Sequence, residues 1–391
     1  MSDITATGQV RQIMQDFARE TGLDPVATRP RRYLWTDSFA VCNYLELFRR
    51  TGDEAHRDLA LRLVGQVHNV LGRHREDDPR SGWISGLDDQ EGAFHPTIGG
   101  LRIGKPRPER KQGEPPNERM EWEQDGQYYH YLTRWMHALN RTGCVTGEPV
   151  YTSWAVELAQ TAHARFVYTP PSSGQKRMYW KMSIDLSRPQ VASMGLHDPL
   201  DGLVTYCGLQ MSLFDLRGQL RGPDLLAEIK DMAGICRDRN FATDDPLGIG
   251  GLLADAHRIA GLMVEGGFTC HVLLESVVSS ALRGIEAYLQ TAPFRTLPEQ
   301  RLAFRELGLS IGLSGVLPLW ELIERNPGLF EPEGGIARKV AALERYTPLA
   351  DTITGFWLDG KNGDKESWNE HRDINAVMLA TSLAPGSFLE P

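Results

Sequence analysis

Apolar residues recur at helical spacing along nearly the whole chain, and two kinds of helix alternate within that repeat. This pattern restricts the fold more than any other feature. In residues 53–73, "DEAHRDLALRLVGQVHNVLGR", Leu61, Val64, His68 and Leu71 share one face. Asp53 stands where an N-cap belongs and Gly72 where a helix would stop. The same reading predicts helices over 3–20, 37–50, 148–167, 222–237, 268–289, 299–325 and 336–346, with Pro318 kinking or splitting the longest. Convincing strand alternation is nearly absent. "RMYWKMSIDL", 177–186, lies between turn-rich segments and reads as one arm of a small β-hairpin.

The helices come in pairs. "LFRRTGDEAHRDLALRLVGQVH" (47–68) aligns loosely with "ALNRTGCVTGEPVYTSWAVELAQTAH" (138–163): a helix ending on Arg-Thr-Gly, a short acidic link, then a helix with a late histidine. Shared capping chemistry alone would also produce this likeness. Six helices have polar, aromatic lead-ins: Trp35–Asp37, Trp122–Asp125, His197–Asp201, Asp244–Asp245, Leu297–Gln300 and Trp368–Asp373. Several carry glycine-rich apolar runs such as "GIGGLLADAHRIAGLM" and "LGLSIGLSGVLPL", expected of helices buried on several sides. The alternate helices are one-sided. Buried and amphipathic helices in alternation describe an all-α chain, an (α/α)6 toroid of about twelve helices formed as a single domain over 1–391. Its inner helices run parallel, so their N-termini meet at one mouth.

Composition narrows the partners. A formal net charge of -9 leaves no domain-wide basic face for nucleic acid. The N-terminus lacks the pattern of a secretory signal and no apolar run of 18 residues is evident, so no membrane partner is expected. Five dispersed cysteines, never in CxxC spacing, read as reduced thiols of a cytoplasmic protein.

Paired helices with Trp/Asp/His-rich lead-ins make the layout resemble the six-hairpin glycosidase-like superfamily, whose architecture is similar to that of N-acylglucosamine 2-epimerase-type sugar isomerases. The resemblance covers nearly the whole chain but rests on layout, not on a signature that fixes the reaction. It implies an active site at the mouth where inner helices begin, furnished with acidic residues and tryptophans.

Physical chemistry points to the same place, since helix N-termini present unpaired N–H groups and the positive ends of their dipoles. "MEWEQDGQYYHYLTRWMHALNRTG", 120–143, reads as a helix opening on Glu121, Glu123, Asp125, Gln127 and Tyr128. "MGLHDPLDGLVTY", 194–206, offers His197 and Asp201, with Asp198 as the cap. "SWNEHRDINAVMLATSL", 367–383, offers Trp368, His371, Arg372 and Asp373. For each cluster the bland alternative is ordinary capping or a structural ion pair. His130, Arg134, His137 and Arg141 form a polar stripe that faces either a cavity or solvent. No HExxH spacing occurs, and neither a catalytic metal nor a cofactor is expected. The turn-rich stretch 74–120 reads as a lid, a binding loop or disorder. Trp83, Asp88, Asp89, His95 and the glycine pair 99–100 in its first half could cover the mouth, and its second half reads as a solvated flap.

The leading expectation is a glycoside hydrolase acting on an oligosaccharide or small sugar through two carboxylic groups. Asp125 and Asp201 are the first candidates, with Asp37 and Asp373 in reserve. Trp35, Trp122, Tyr128, Trp180 and Trp368 would form sugar platforms, and Arg372 a clamp. The alternative is a sugar epimerase or isomerase in which His130, His197 and His371 move protons. A non-catalytic glycan-binding protein would use the same bowl.

Overall fold

The computed structural model describes residues 3–215, 224–266, 269–330, 335–363 and 365–391. The first residues of the predicted helices 222–237 and 268–289 lie outside that set. The chain divides into two compact units, Ala18–Arg237 and Met1–Phe17 with Asp238–Pro391. The N-terminal helix α1 (Asp3–Thr21) runs through the boundary.

In the unit 18–237, helix α2 (Leu34–Thr51) pairs with α3 (Glu54–Leu71). Two short helices follow, α4 (Asp89–Phe94) and α5 (Glu118–Glu123), then strand β1 (Gln127–Tyr128). Helix α6 (Tyr129–Thr146) pairs with α7 (Pro149–Phe166), and α8 (Asp198–Asp215) with α9 (Leu226–Cys236). The second members are one-sided: α3 buries Ala60, Leu63, Val64, Val67, His68 and Leu71. The first members are buried nearly all round, with α2 inaccessible from Leu34 to Leu47. They pack side by side, α2 on α6 and α6 on α8. Asp53 caps α3 by accepting the Ala55 N–H, as its position predicts.

Three local expectations are corrected. The 120–143 stretch is not one helix: α5 ends at Glu123, the chain runs extended through β1, and α6 begins only at Tyr129. Gly126 makes the interruption, with φ 147° and its backbone so close to the next strand that a Cβ would sit 2.8 Å from the Met182 carbonyl oxygen. Arg-Thr-Gly closes α2, where Gly52 takes φ 68°, but Gly143 lies inside α6, and the left-handed cap is Gly147 at φ 73°. The 177–186 segment is not one hairpin arm. It holds two short strands of different sheets: β3 (Arg177–Met178) pairs with β2 (Val167–Tyr168), and β4 (Lys181–Met182) lies between β1 and β5 (Pro189–Val191), all antiparallel.

The second half of the long loop is not simply a solvated flap. Glu109 accepts the Ile184 N–H at 2.7 Å and pairs with Arg80, while Arg110 pairs with Glu121. The exposed runs of this half are residues 106–108 and the longer 111–117.

The unit completed by Asp238–Pro391 contains α10 (Pro246–Val264), α11 (His271–Gln290), α12 (Ala303–Ser314) and α13 (Val316–Arg325). The 299–325 helix breaks at Gly315, not at Pro318, which sits in the first turn of α13 where its missing N–H has no helical partner to lose. The glycine runs serve close packing: a Cβ on Gly250 would lie 2.0 Å from the Gly308 carbonyl oxygen, so α10 and α12 touch backbone to backbone. The expectation that no apolar run reaches 18 residues is also corrected. Pro246–Val264 and Ala303–Arg325 are long and apolar enough to cross a membrane, but 67% of each qualifying window is buried within the protein.

Candidate active site

The first turns of α2, α6 and α8 converge, because these helices are packed neighbours. The Trp35 and His130 rings meet edge to face at 5.9 Å, and His130 Nδ1 lies 3.8 Å from Asp198 Oδ1. One turn further along, Arg134 donates to Asp201 Oδ1 at 3.1 Å. Spacings of i, i+4 on α6 and i, i+3 on α8 place the four polar groups on facing sides of the two helices.

Aromatic rings wall this cluster. Tyr128 stacks on Trp180 at 4.8 Å and on His130 at 5.5 Å. Tyr131 meets Trp35 at 5.3 Å and His130 at 4.7 Å. Its hydroxyl shares a 2.6 Å hydrogen bond with that of Tyr33. Trp122 is 52% exposed and packs edge-on against Trp180 at 4.6 Å. Flat faces with polar groups at their edges are what a ring of C–H bonds and hydroxyls needs from its receptor.

Burial among the rings pushes the His130 pKa down to about 4, Arg134 lowers it further, and Asp201 opposes the shift. His130 is therefore a neutral imidazole at neutral pH, and among the described residues its Nδ1 has no hydrogen-bond partner.

The other carboxylates of the lead-ins hold the fold. Asp125 is fully buried and accepts from Arg75 at 3.3 Å, Arg102 at 3.1 Å and the backbone N–H of Gly104 at 2.9 Å. Asp37 accepts the Tyr33 N–H at 2.9 Å and pairs with the inaccessible Arg32 at 3.3 Å. Glu121 lies between Arg110 and Lys181. The Lys181 ammonium, wholly buried, donates to the Glu121 carboxylate at 3.2 Å and to the carbonyls of Glu121 and Gln124 at 2.7 and 3.0 Å. Burial lowers its pKa, and Glu121 works against that. The Gln127 amide is committed to Gly99, Ile184 and Leu101. His197 is half-buried, and its carbonyl accepts the Asp201 N–H that starts α8.

The C-terminal candidates belong to the other unit. Trp368 is buried and stacks on Trp357 at 5.8 Å; His371 meets Phe304 at 5.5 Å. Asp373 is half-buried and Arg372 exposed at the start of the helix Arg372–Leu383. Among the described residues no group of three or more His, Cys, Asp or Glu side chains is arranged to hold a metal ion.

The sequence reading passed over Tyr33, Tyr131 and Lys105 and took Asp198 only as a cap. The usable signal was tyrosine density: "RRYLW" and "QYYHY" both place tyrosines at the lead-in of an inner helix.

No protein-family model and no curated protein matches this sequence. Solved structures do. An α-mannanase of glycoside hydrolase family 76 from Bacteroides thetaiotaomicron aligns over 100% of this chain and 97% of its own, at 9% identity and a TM-score of 0.53. The family 76 α-1,6-mannanase from Salegentibacter sp. HEL1_6 aligns over 98% and 100%, at 11% identity and 0.53. A family 76 glycoside hydrolase from a bovine B. thetaiotaomicron strain aligns over 99% and 78%, at 11% and 0.54. At these identities the likeness shows a shared fold, the all-α (α/α)6 toroid.

Proposed function

We propose that the chain is a carbohydrate-active enzyme, a glycoside hydrolase whose working carboxylic groups are Asp198 and Asp201. The observation that carries this reading is their placement: one turn apart on α8, facing His130 and Arg134, beside the aromatic wall of Trp35, Tyr128, Tyr131 and Trp180. Two carboxyl groups that can flank a scissile glycosidic bond are the minimum equipment for its cleavage. Asp201, ion-paired with Arg134, takes the role that needs an anion, activating water or attacking the anomeric carbon. Asp198, against the neutral His130, takes the role of proton donor to the leaving oxygen. The mannanases of the same fold make α-mannooligosaccharides the first substrates to try.

A second reading rests on His130. A neutral imidazole with an uncommitted Nδ1 beside a carboxylate could move a proton next to a sugar carbonyl, as an epimerase or isomerase requires. One experiment separates the two. The protein is incubated with α-mannooligosaccharides and with free aldoses in D2O, and the products are followed by NMR. New reducing ends without carbon-bound deuterium support hydrolysis. Deuterium at the carbon beside the carbonyl, with no bond cleaved, sinks the hydrolase reading in favour of the isomerase.

A further inference from the structure

Lys105 lies in the loop that leads towards β1, its backbone fixed on both sides. Its N–H donates to Asp125 at 3.3 Å and its carbonyl accepts from Arg75 at 2.6 Å. The side chain crosses the face of Tyr33, with Nζ 5.1 Å from the ring centroid. That ring meets Tyr131, which in turn meets both Trp35 and His130. The ammonium therefore stands at the edge of the aromatic wall, with the Tyr33 and Tyr131 rings between it and His130.

Among the described residues this ammonium has no hydrogen-bond or ion-pair partner. The two carboxylates that attract it are both engaged elsewhere, Asp125 by Arg75 and Arg102, and Glu123 by Arg107 at 3.1 Å. Arg75 also holds Asp77 at 2.7 Å. Four cations thus share three carboxylates, and Lys105 is the one left over. Burial depresses its pKa and the charges of Asp125 and Glu123 work against that, so the ammonium is partly desolvated while lacking a direct ion-pair partner. In a chain of net charge -9, an ammonium without a direct ion-pair partner beside an aromatic wall is a place for an anion from outside.

We propose that the site takes an acidic saccharide, whose anionic group, a uronate carboxylate or a phosphate ester, binds the Lys105 ammonium while its ring lies on the Tyr33, Tyr131 and Trp35 faces. The inference rests on the carbohydrate reading of this site but concerns binding, not turnover. Cation and ring then act together: the ammonium fixes the charged substituent and the aromatic faces fix the ring.

The test is a set of affinities measured by calorimetry for digalacturonate, galactose 6-phosphate and the neutral disaccharide galactobiose. The expected result is at least tenfold tighter binding of one acidic ligand than of galactobiose, with the better of the two identifying the anion. In Lys105→Gln that ratio collapses towards one, and in Lys105→Arg most of it is kept. Equal affinity for acidic and neutral sugars in the natural protein overturns the proposal, as does a preference that survives Lys105→Gln. Neutral oligosaccharides cleaved without any acidic preference would leave the hydrolase standing and remove this inference. Lys105-dependent binding of an acidic sugar that is never cleaved would do the reverse.

Discussion

His130 Nδ1 and Asp198 Oδ1 face each other at 3.8 Å, beyond hydrogen-bond reach, at the junction of two helix starts. The separation is wide enough for a substrate hydroxyl to bridge them. Around this pair, Asp37, Asp125 and Glu121 are closed into ion pairs with arginine and lysine.

Asp198→Asn and Asp201→Asn should each lower turnover by about 10²–10⁴-fold, the range for loss of a general acid or base. Arg134→Lys should lower it less, since it keeps the charge but not the fork geometry. The measurement is single-turnover release of reducing ends. Wild-type rates in both Asn variants would remove these carboxylates from the reaction.

Asp125→Asn should act on stability. It leaves Arg75 and Arg102 facing each other inside the protein, and breaking such a buried pair costs about 3–5 kcal/mol. Denaturant unfolding checks this. A variant as stable as the natural protein but without turnover would return Asp125 to the catalytic role its sequence position suggests.

Lys181→Met should be as damaging, because the Glu121 carboxylate would keep its burial and lose one of its two cations. The double variant with Glu121→Gln should lose less than the sum of the two single variants, since the residues share one network. Additive losses would show that the two groups do not act as a unit.

Acidification should destabilise the fold before any carboxylate is neutralised. The pKa of His130 is lowered to about 4 and that of His68 to about 3, both chiefly by burial. As the pH drops below about 6.5 the unfolded chain takes up these protons and the folded chain does not, so stability falls with pH across that window. His74 and His257 are shifted in the same direction by burial and add to the slope. His68→Gln keeps an acceptor for the Trp135 N–H, which bonds His68 at 3.2 Å, and should flatten the acid limb of a Tm–pH curve. An unchanged limb would mean that His68 is not part of it.

Gly250→Ala should loosen α10 from α12, because the added methyl would lie 2.0 Å from a carbonyl oxygen and the helices must separate. Overpacking of this kind costs about 1–3 kcal/mol. Gly52→Ala meets no neighbour, so its only penalty comes from the left-handed backbone at φ 68°.

By itself the sequence determined the alternation of buried and one-sided helices and most of their boundaries. Those are properties of hydrophobic period and capping, which act over a few residues and are written locally. The Asp53 cap and the Gly52 stop are examples. Tertiary structure decided which groups each carboxylate meets. Asp125 and Asp198 are both acidic residues in the lead-in of an inner helix. One is closed off by arginines that lie 23 and 50 residues away in sequence, while the other is left facing a histidine on the next helix. Likewise, Lys105 reads as one more basic residue in a charged loop until Arg75, Arg102 and Arg107 take the carboxylates around it. The charge state and freedom of a side chain depend on partners brought near by folding, and no local pattern encodes them.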